Sequence, residues 1–251
     1  MALLHEYHQP TSLSHALTLL DAADRRLVPL AGGTSLIGQL ETRALSTVDG
    51  VVDLSKLELD TIAADDTTLT VGAMVTLTDL CAHDVAANLA GGILRRTAQG
   101  EGPVNLRNAA TIGGLIAGAA PDSEVFAALL ALQATVHVTT LATETLIPLD
   151  QLTATPAGLI TAVTIPLDAT AGGHARVART PSDRPIVAAV AIRTDRADDP
   201  ATALRIALCG VAARPILAHI PLDPPDDFLG SAAYRRAMSA VVMARARQQL
   251  L

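Results

Sequence analysis

Leu30-Ala31-Gly32-Gly33-Thr34-Ser35-Leu36 and, about eighty residues further on, Asn108-Ala109-Ala110-Thr111-Ile112-Gly113-Gly114-Leu115 are the two stretches that decide how this chain is read. Each follows or joins an apolar segment, and each sets two adjacent glycines beside a hydroxyl residue. Without a Cβ, glycine takes up positive φ and lets a ligand approach the backbone. Successive N–H groups in such a turn can converge on phosphate oxygens. Gly-Gly is also ordinary turn chemistry, so one such loop decides little. Two loops able to close on one pyrophosphate make a dinucleotide cradle; the alternative is a pair of unrelated turns.

The segments around the loops predict an α+β chain. Thr11 or Ser12 caps a helix with apolar positions Leu13, Ala16, Leu17 and Leu20. Leu27 to Leu30 reads as a strand running into the first loop, and Val51 to Leu54 and Leu69 to Val71 as two more. Thr76-Leu77-Thr78-Asp79 matches a capping box and predicts a helix to about Leu89, with another short helix over Ile93 to Ala98. Ser123 to Ala134 predicts a largely buried helix, and Thr135 to Val138 and Leu159 to Ile165 predict strands. Gly172 and Gly173 make Ala169 to His174 the expected domain boundary. Ile186 to Ile192 and Leu204 to Val211 then read as paired strands. Ser231 to Leu251 reads as a final helix with Tyr234, Met238, Val241 and Val242 on one side. Its four arginines suit a solvated face and the helix C-terminus, or a partner site.

With these motifs in view, the chain resembles the FAD-binding medium subunit of the molybdenum hydroxylases, the xanthine and carbon monoxide dehydrogenase family. Ala31 to Leu36 matches that family's first loop, and Arg107 to Gly114 its second, with Leu115 where the family has Asn. Tyr7 to Leu20, Val71 to Ala73, Thr76 to Leu80, Ile206 to Pro215 and Tyr234 to Arg236 match as well. The resemblance implies a two-lobed FAD-binding domain of the vanillyl-alcohol-oxidase/PCMH type over residues 1–168, with lobes of about 1–58 and 59–168. It implies a small sheet-plus-helix domain over 175–251. It implies non-covalent FAD on Ala31, Gly32, Gly33, Thr34, Ser35 and Leu36 from one side and Thr111, Ile112, Gly113, Gly114 and Leu115 from the other.

Four further positions are carried over. Glu124 stands for the family's acid beside the ribityl or ribose, although an acid at a helix N-terminus also has a structural reason. Ile160 stands for an apolar contact to the rings, or is a core strand residue. Arg176 and Asp183, with Arg179 between them, echo a pattern used near the isoalloxazine. Arg184 follows, where some relatives place Tyr against the ring. The partners implied are a molybdenum-cofactor large subunit and a [2Fe–2S] small subunit, with an acceptor such as NAD or a quinone.

Composition narrows the classes. The chain has 251 residues, a net charge of −7, two cysteines and no Trp. An acidic balance argues against nucleic acid and gives no attraction to an anionic membrane. No apolar run reaches the ~18–20 residues of a span, and MALLHEYHQP lacks a secretory pattern, so a cytoplasmic place is expected. Cys81 and Cys209 cannot hold an iron–sulfur cluster by four thiolates. The seven histidines show no metal spacing, and no catalytic acid–base or nucleophile set is visible. Two rivals stay open: a flavin-free structural subunit, and a stand-alone flavin oxidoreductase.

Overall fold

The computed structural model describes residues 4–195 and 203–250. In chain order its first part runs β1 (Glu6–His8), α1 (Leu13–Leu20), β2 (Leu27–Leu30), α2 (Leu36–Glu41) and β3 (Gly50–Asp53). Ser12 caps α1 by accepting the His15 N–H, as the polar-to-apolar switch there predicts. The strands form a parallel sheet in the order β1-β3-β2. α1 covers it with Ala16, Leu17 and Leu19, which pack on Leu27, Val52 and Leu54.

β4 (Ile62–Ala64), β5 (Thr68–Gly72), α3 (Leu77–Ala82), α4 (Asp84–Gly100), α5 (Val104–Arg107), α6 (Ile112–Gly118) and α7 (Glu124–Ala131) follow. Then come β6 (Thr135–Thr139), β7 (Glu144–Pro148) and β8 (Leu159–Pro166). The second sheet is antiparallel, in the order β4-β5-β8-β6-β7. The helix expected from Thr76 to Leu89 is interrupted. His83 is extended, and Leu89 to Gly92 leave helical geometry inside α4, so Ile93 to Ala98 lie on a separate helical stretch. After Glu124, α7 is apolar all round because it is buried all round, with Phe126 fully inaccessible.

The last part holds β9 (Ala169–Val177), β10 (Val187–Thr194), β11 (Leu204–Cys209), β12 (Ile216–Leu217) and α8 (Ala232–Gln248). The third sheet is antiparallel in the order β12-β11-β10-β9, and β10 and β11 pair as expected. β10 is apolar on both faces because a helix lies on each. Ala188, Val190 and Ile192 join the core around α7, while Val187, Ala189 and Ala191 join the core under α8.

Two expectations change. Ala169 to His174, the expected domain boundary, is the first part of β9, the strand that opens the third sheet, and its glycines allow close packing. A Cβ at Gly172 would lie 2.6 Å from the Ala90 carbonyl oxygen, and one at Gly173 would lie 2.9 Å from the Ala246 carbonyl carbon. The buried stripe of α8 is Arg235, Ser239, Val242 and Ala246, rotated from the expected Tyr234–Met238 side. Arg235 is therefore an interior residue, while Leu251, the expected helix end, lies outside the described residues. Among the described residues no helix is long and apolar enough to cross a membrane.

Candidate functional site

Both glycine loops border one cleft. The first leaves β2 and enters α2, and Ala31, Gly32, Gly33, Thr34, Ser35 and Leu36 all line the cavity. Thr111, Gly113 and Gly114 line it from the second loop, and Ile160 of β8 completes an apolar wall with Leu54 and Met74. The loops touch each other through the missing Cβ of Gly32. A Cβ there would lie 2.6 Å from the Ala109 carbonyl carbon and overlap its oxygen.

The loops make different contributions. In the first, only Gly33 uses positive φ, at 71°. The N–H groups of Gly32, Gly33, Thr34, Ser35 and Leu36 have no protein acceptor among the described residues. Unmatched backbone donors on the wall of a cleft are free to bind an external acceptor in place of water. In the second stretch the amides are already engaged. Ile112 N–H donates to Val75 O at 3.0 Å and Gly113 N–H to Ala73 O at 2.8 Å. Gly114 N–H reaches the Thr111 hydroxyl oxygen at 3.2 Å, because Thr111 is the N-cap of α6. The second loop thus supplies a wall of small residues rather than donors. Gly113 is needed for packing, since a Cβ would lie 2.7 Å from the Ala73 Cβ. Ile112 is a core residue, 1% exposed.

A second cavity adjoins the first and shares Thr34, Ser35, Thr111, Gly114 and Gly118 with it. Leu115 lines this second space, with Arg107, Glu101 and Arg184 as its charged residues. Glu101 accepts the Ser123 hydroxyl at 2.6 Å and the Val125 N–H at 2.9 Å, capping α7 from outside its own segment. Its other oxygen pairs with Arg184 at 3.0 Å, and Arg184 Nε donates to Asp122 at 2.7 Å. Burial pushes the Glu101 carboxyl above its usual range, opposed chiefly by the Arg184 charge.

Glu124, Arg176 and Asp183 border neither space. The Glu124 carboxylate is 1% exposed and is held by His174 at 2.6 Å and Arg176 at 3.5 Å. Arg176 also donates to the Asp183 carbonyl oxygen, and Asp183 accepts the Thr180 N–H at 3.1 Å. Glu124 of α7 is thus clasped to His174 and Arg176 of β9, and Asp183 lies in the connection after β9. Sequence reasoning missed Glu101, whose Gly100-Glu101-Gly102-Pro103 setting looks like a solvated turn. It also missed Gln39, which lines the first cavity and donates to the Ser35 hydroxyl oxygen at 2.9 Å. Its place on α2, four residues after Ser35, is the signal that could have found it. No group of His, Cys, Asp and Glu among the described residues is arranged to hold a metal.

Acceptor-free amides facing a wall of small residues, with an apolar space on one side and a space carrying Glu101, Arg107 and Arg184 on the other, form a cleft of the kind that can take the pyrophosphate of a dinucleotide. The comparisons agree. The family described as "FAD binding domain in molybdopterin dehydrogenase" matches residues 3–168. The chain belongs to this family, and FAD is the cofactor that the family defines. It is 30% identical to the carbon monoxide dehydrogenase medium chain of Afipia carboxidovorans, over 96% of this chain and 94% of that one. It is 27% identical to the glyceraldehyde dehydrogenase medium chain of Sulfolobus acidocaldarius, over 97% of both chains. The solved structure of reconstituted carbon monoxide dehydrogenase from Oligotropha carboxidovorans superposes with a TM-score of 0.88 at 26% identity. It covers 100% of this chain and 98% of that one.

Proposed function

We propose that this chain is the FAD-carrying electron-transfer subunit of a multi-subunit molybdenum hydroxylase. It takes electrons from the iron–sulfur clusters of a small partner subunit and passes them to an acceptor such as NAD or a quinone. A large subunit carries the molybdenum cofactor and oxidises the substrate. The match over nearly the whole length of a carbon monoxide dehydrogenase medium chain supports the assembly.

The observation that carries the reading is the run of acceptor-free N–H groups from Gly32 to Leu36 on a cavity that the second loop also walls. Those amides hold a pyrophosphate without a covalent bond, and the Thr34 and Ser35 hydroxyls stand at the waist between the two cavities. When bound, FAD supplies the redox chemistry, accepting and releasing one or two electrons. The chain's own work is to bind and orient. Leu54, Met74 and Ile160 give an apolar wall that excludes water on one side of the waist. Arg184, fixed by Glu101 and Asp122, puts a guanidinium on the wall of the other cavity.

Titrating apoprotein with FAD, FMN and ADP tests this. FAD is expected to bind far more tightly than FMN, which lacks a pyrophosphate, and ADP is expected to compete with FAD. Equal affinity for FMN and FAD, or failure of ADP to compete, would overturn the pyrophosphate assignment.

A further inference from the structure

A third cavity, of about 170 Å³, shares no lining residue with the two spaces of the cofactor cleft. It opens where three parts of the chain meet: the end of α7, the 3-10 turn Leu149–Gln151 that follows β7, and the connection from β11 into β12. Its apolar wall is Leu130, Leu149, Leu152 and Leu217, each at most 6% exposed and each part of the main core. Side chains held by close packing on their inner side do not collapse into such a space, so it exists before anything enters it.

One charged group in this apolar setting has no answering charge among the described residues. Arg214 lines the cavity, and its guanidinium carbon stands 5.2 Å from the centroid of the buried Phe126 ring. It makes no hydrogen bond or ion pair with any described residue. Burial holds its pKa below the usual arginine range, with no acid to offset the effect. Stacking occupies the face of a guanidinium and leaves its in-plane N–H donors for an acceptor, and their fork matches a carboxylate.

The neighbouring charges and the size of the space define that acceptor further. Asp150 is the acid on the wall, and Arg205 stands 3.9 Å from it. Those two offset each other, so Arg214 is the surplus charge and suits a single anion. A space of about 170 Å³ holds about five or six waters at ~30 Å³ each. It lies below the ~300–1,000 Å³ of pockets that take drug-sized ligands.

We propose that this cavity binds a small aliphatic monocarboxylate, its carboxylate on the Arg214 fork and its hydrocarbon body against the four leucines. A neutral alcohol of the same shape leaves the guanidinium without an acceptor, and a diacid brings a second charge among leucines or towards Asp150. The site is separate from the cofactor cleft, so the inference stands apart from the electron-relay reading.

The test titrates the full, FAD-loaded chain with 3-methylbutanoate by isothermal calorimetry. A Kd of about 1 mM or tighter is expected, within reach of so small a ligand when it packs well. 3-Methylbutan-1-ol and succinate should each bind at least about tenfold more weakly, the loss expected for a missing or misplaced charge-assisted pair. Arg214→Met keeps a long side chain over Phe126 and removes the fork. It should weaken 3-methylbutanoate by about tenfold or more and leave FAD content unchanged. Arg214→Lys, which keeps the charge without the fork, should fall between the two. The comparison of acid with alcohol needs no variant, so it decides even where a substitution disturbs folding. No binding of the acid at about 10 mM, equal binding of acid and alcohol, or wild-type affinity in Arg214→Met would overturn the proposal. So would displacement of the acid by ADP in the flavin-free chain, which would put it in the cofactor cleft.

Discussion

Replacing Gly32 by alanine is the smallest change that asks whether the two loops act as one site. A Cβ at this position meets backbone, not a side chain that could swing aside. To bring the Ala109 carbonyl carbon from 2.6 Å to the 3.4 Å of ordinary contact, the loops must part by about 0.8 Å, and the overlapping oxygen demands more. Hydrogen bonds to phosphate need heavy-atom distances of roughly 2.7–3.2 Å, so a displacement of this size forfeits one or two of those made by the first loop. Each charge-assisted bond contributes about 1.5–3 kcal/mol. A total loss of about 2–4 kcal/mol corresponds to roughly thirty- to eight-hundredfold weaker FAD binding. Strain from the added methyl should cost a further ~1–3 kcal/mol of fold stability. Gly38→Ala is the matched control. It lies in α2 with nothing within 4 Å of its Cβ position, so it should stabilise the helix by about 0.5–1 kcal/mol and leave FAD binding alone. The assay is FAD titration of apoprotein by flavin fluorescence, with urea unfolding of each variant alongside. A folded Gly32→Ala protein that binds FAD as wild type does would refute the joint cradle.

Three further outcomes are expected. Arg235→Met leaves the carbonyls of Ile186 and Gly210 without their donor, and should lower the urea-unfolding free energy by about 2–4 kcal/mol; unchanged stability would show that the buried guanidinium is idle. Asp65 is held down at about 2 by the Thr67 and Thr68 N–H and hydroxyl donors. Its folded value lies below its unfolded one, so its contribution is full above about pH 4 and is lost as pH falls towards 2. The stability gap between wild type and Asp65→Ala, followed by urea melts across pH, should close in that window; closure near neutrality would contradict it. Leu115→Asn adds donors to the second cavity and should tighten FAD by a few-fold to tenfold, as one hydrogen bond of about 0.5–1.5 kcal/mol allows. Because Leu115 also packs against the main core, the same variant should melt lower. Weaker FAD binding in a stable Leu115→Asn protein would count against a flavin in that space.

Much of the fold was open to reading because local and tertiary signals agree. Ser12 and Ser123 stand where a polar residue meets an apolar helix, and both cap helices. The run from Val187 to Ile192 is apolar throughout because β10 is covered on both sides. The failures have physical reasons too. α6 hides in Ile112-Gly113-Gly114, where poor helix propensity is overruled by the Thr111 cap and by packing on Ala73. Gly172 and Gly173 look like a boundary, yet they are small because α4 and α8 come so close to β9. β1 and β4 are three residues each, too short for an alternating pattern to declare itself. For the site, the first loop was readable because its donors are consecutive in sequence. Glu101 was not, because its role depends on Arg184, 83 residues away. Arg235 reads as part of a solvated face because charge alone gives no warning that its guanidinium serves the interior carbonyls of Ile186 and Gly210.

The most direct test of the central claim is a titration of the purified, cofactor-stripped chain with FAD, read by flavin absorbance and fluorescence after removal of free ligand. The account predicts saturation at about one FAD per chain, acid-releasable, and displaced by ADP. A folded chain that retains no flavin at saturating FAD, alone and within its complex, would contradict it.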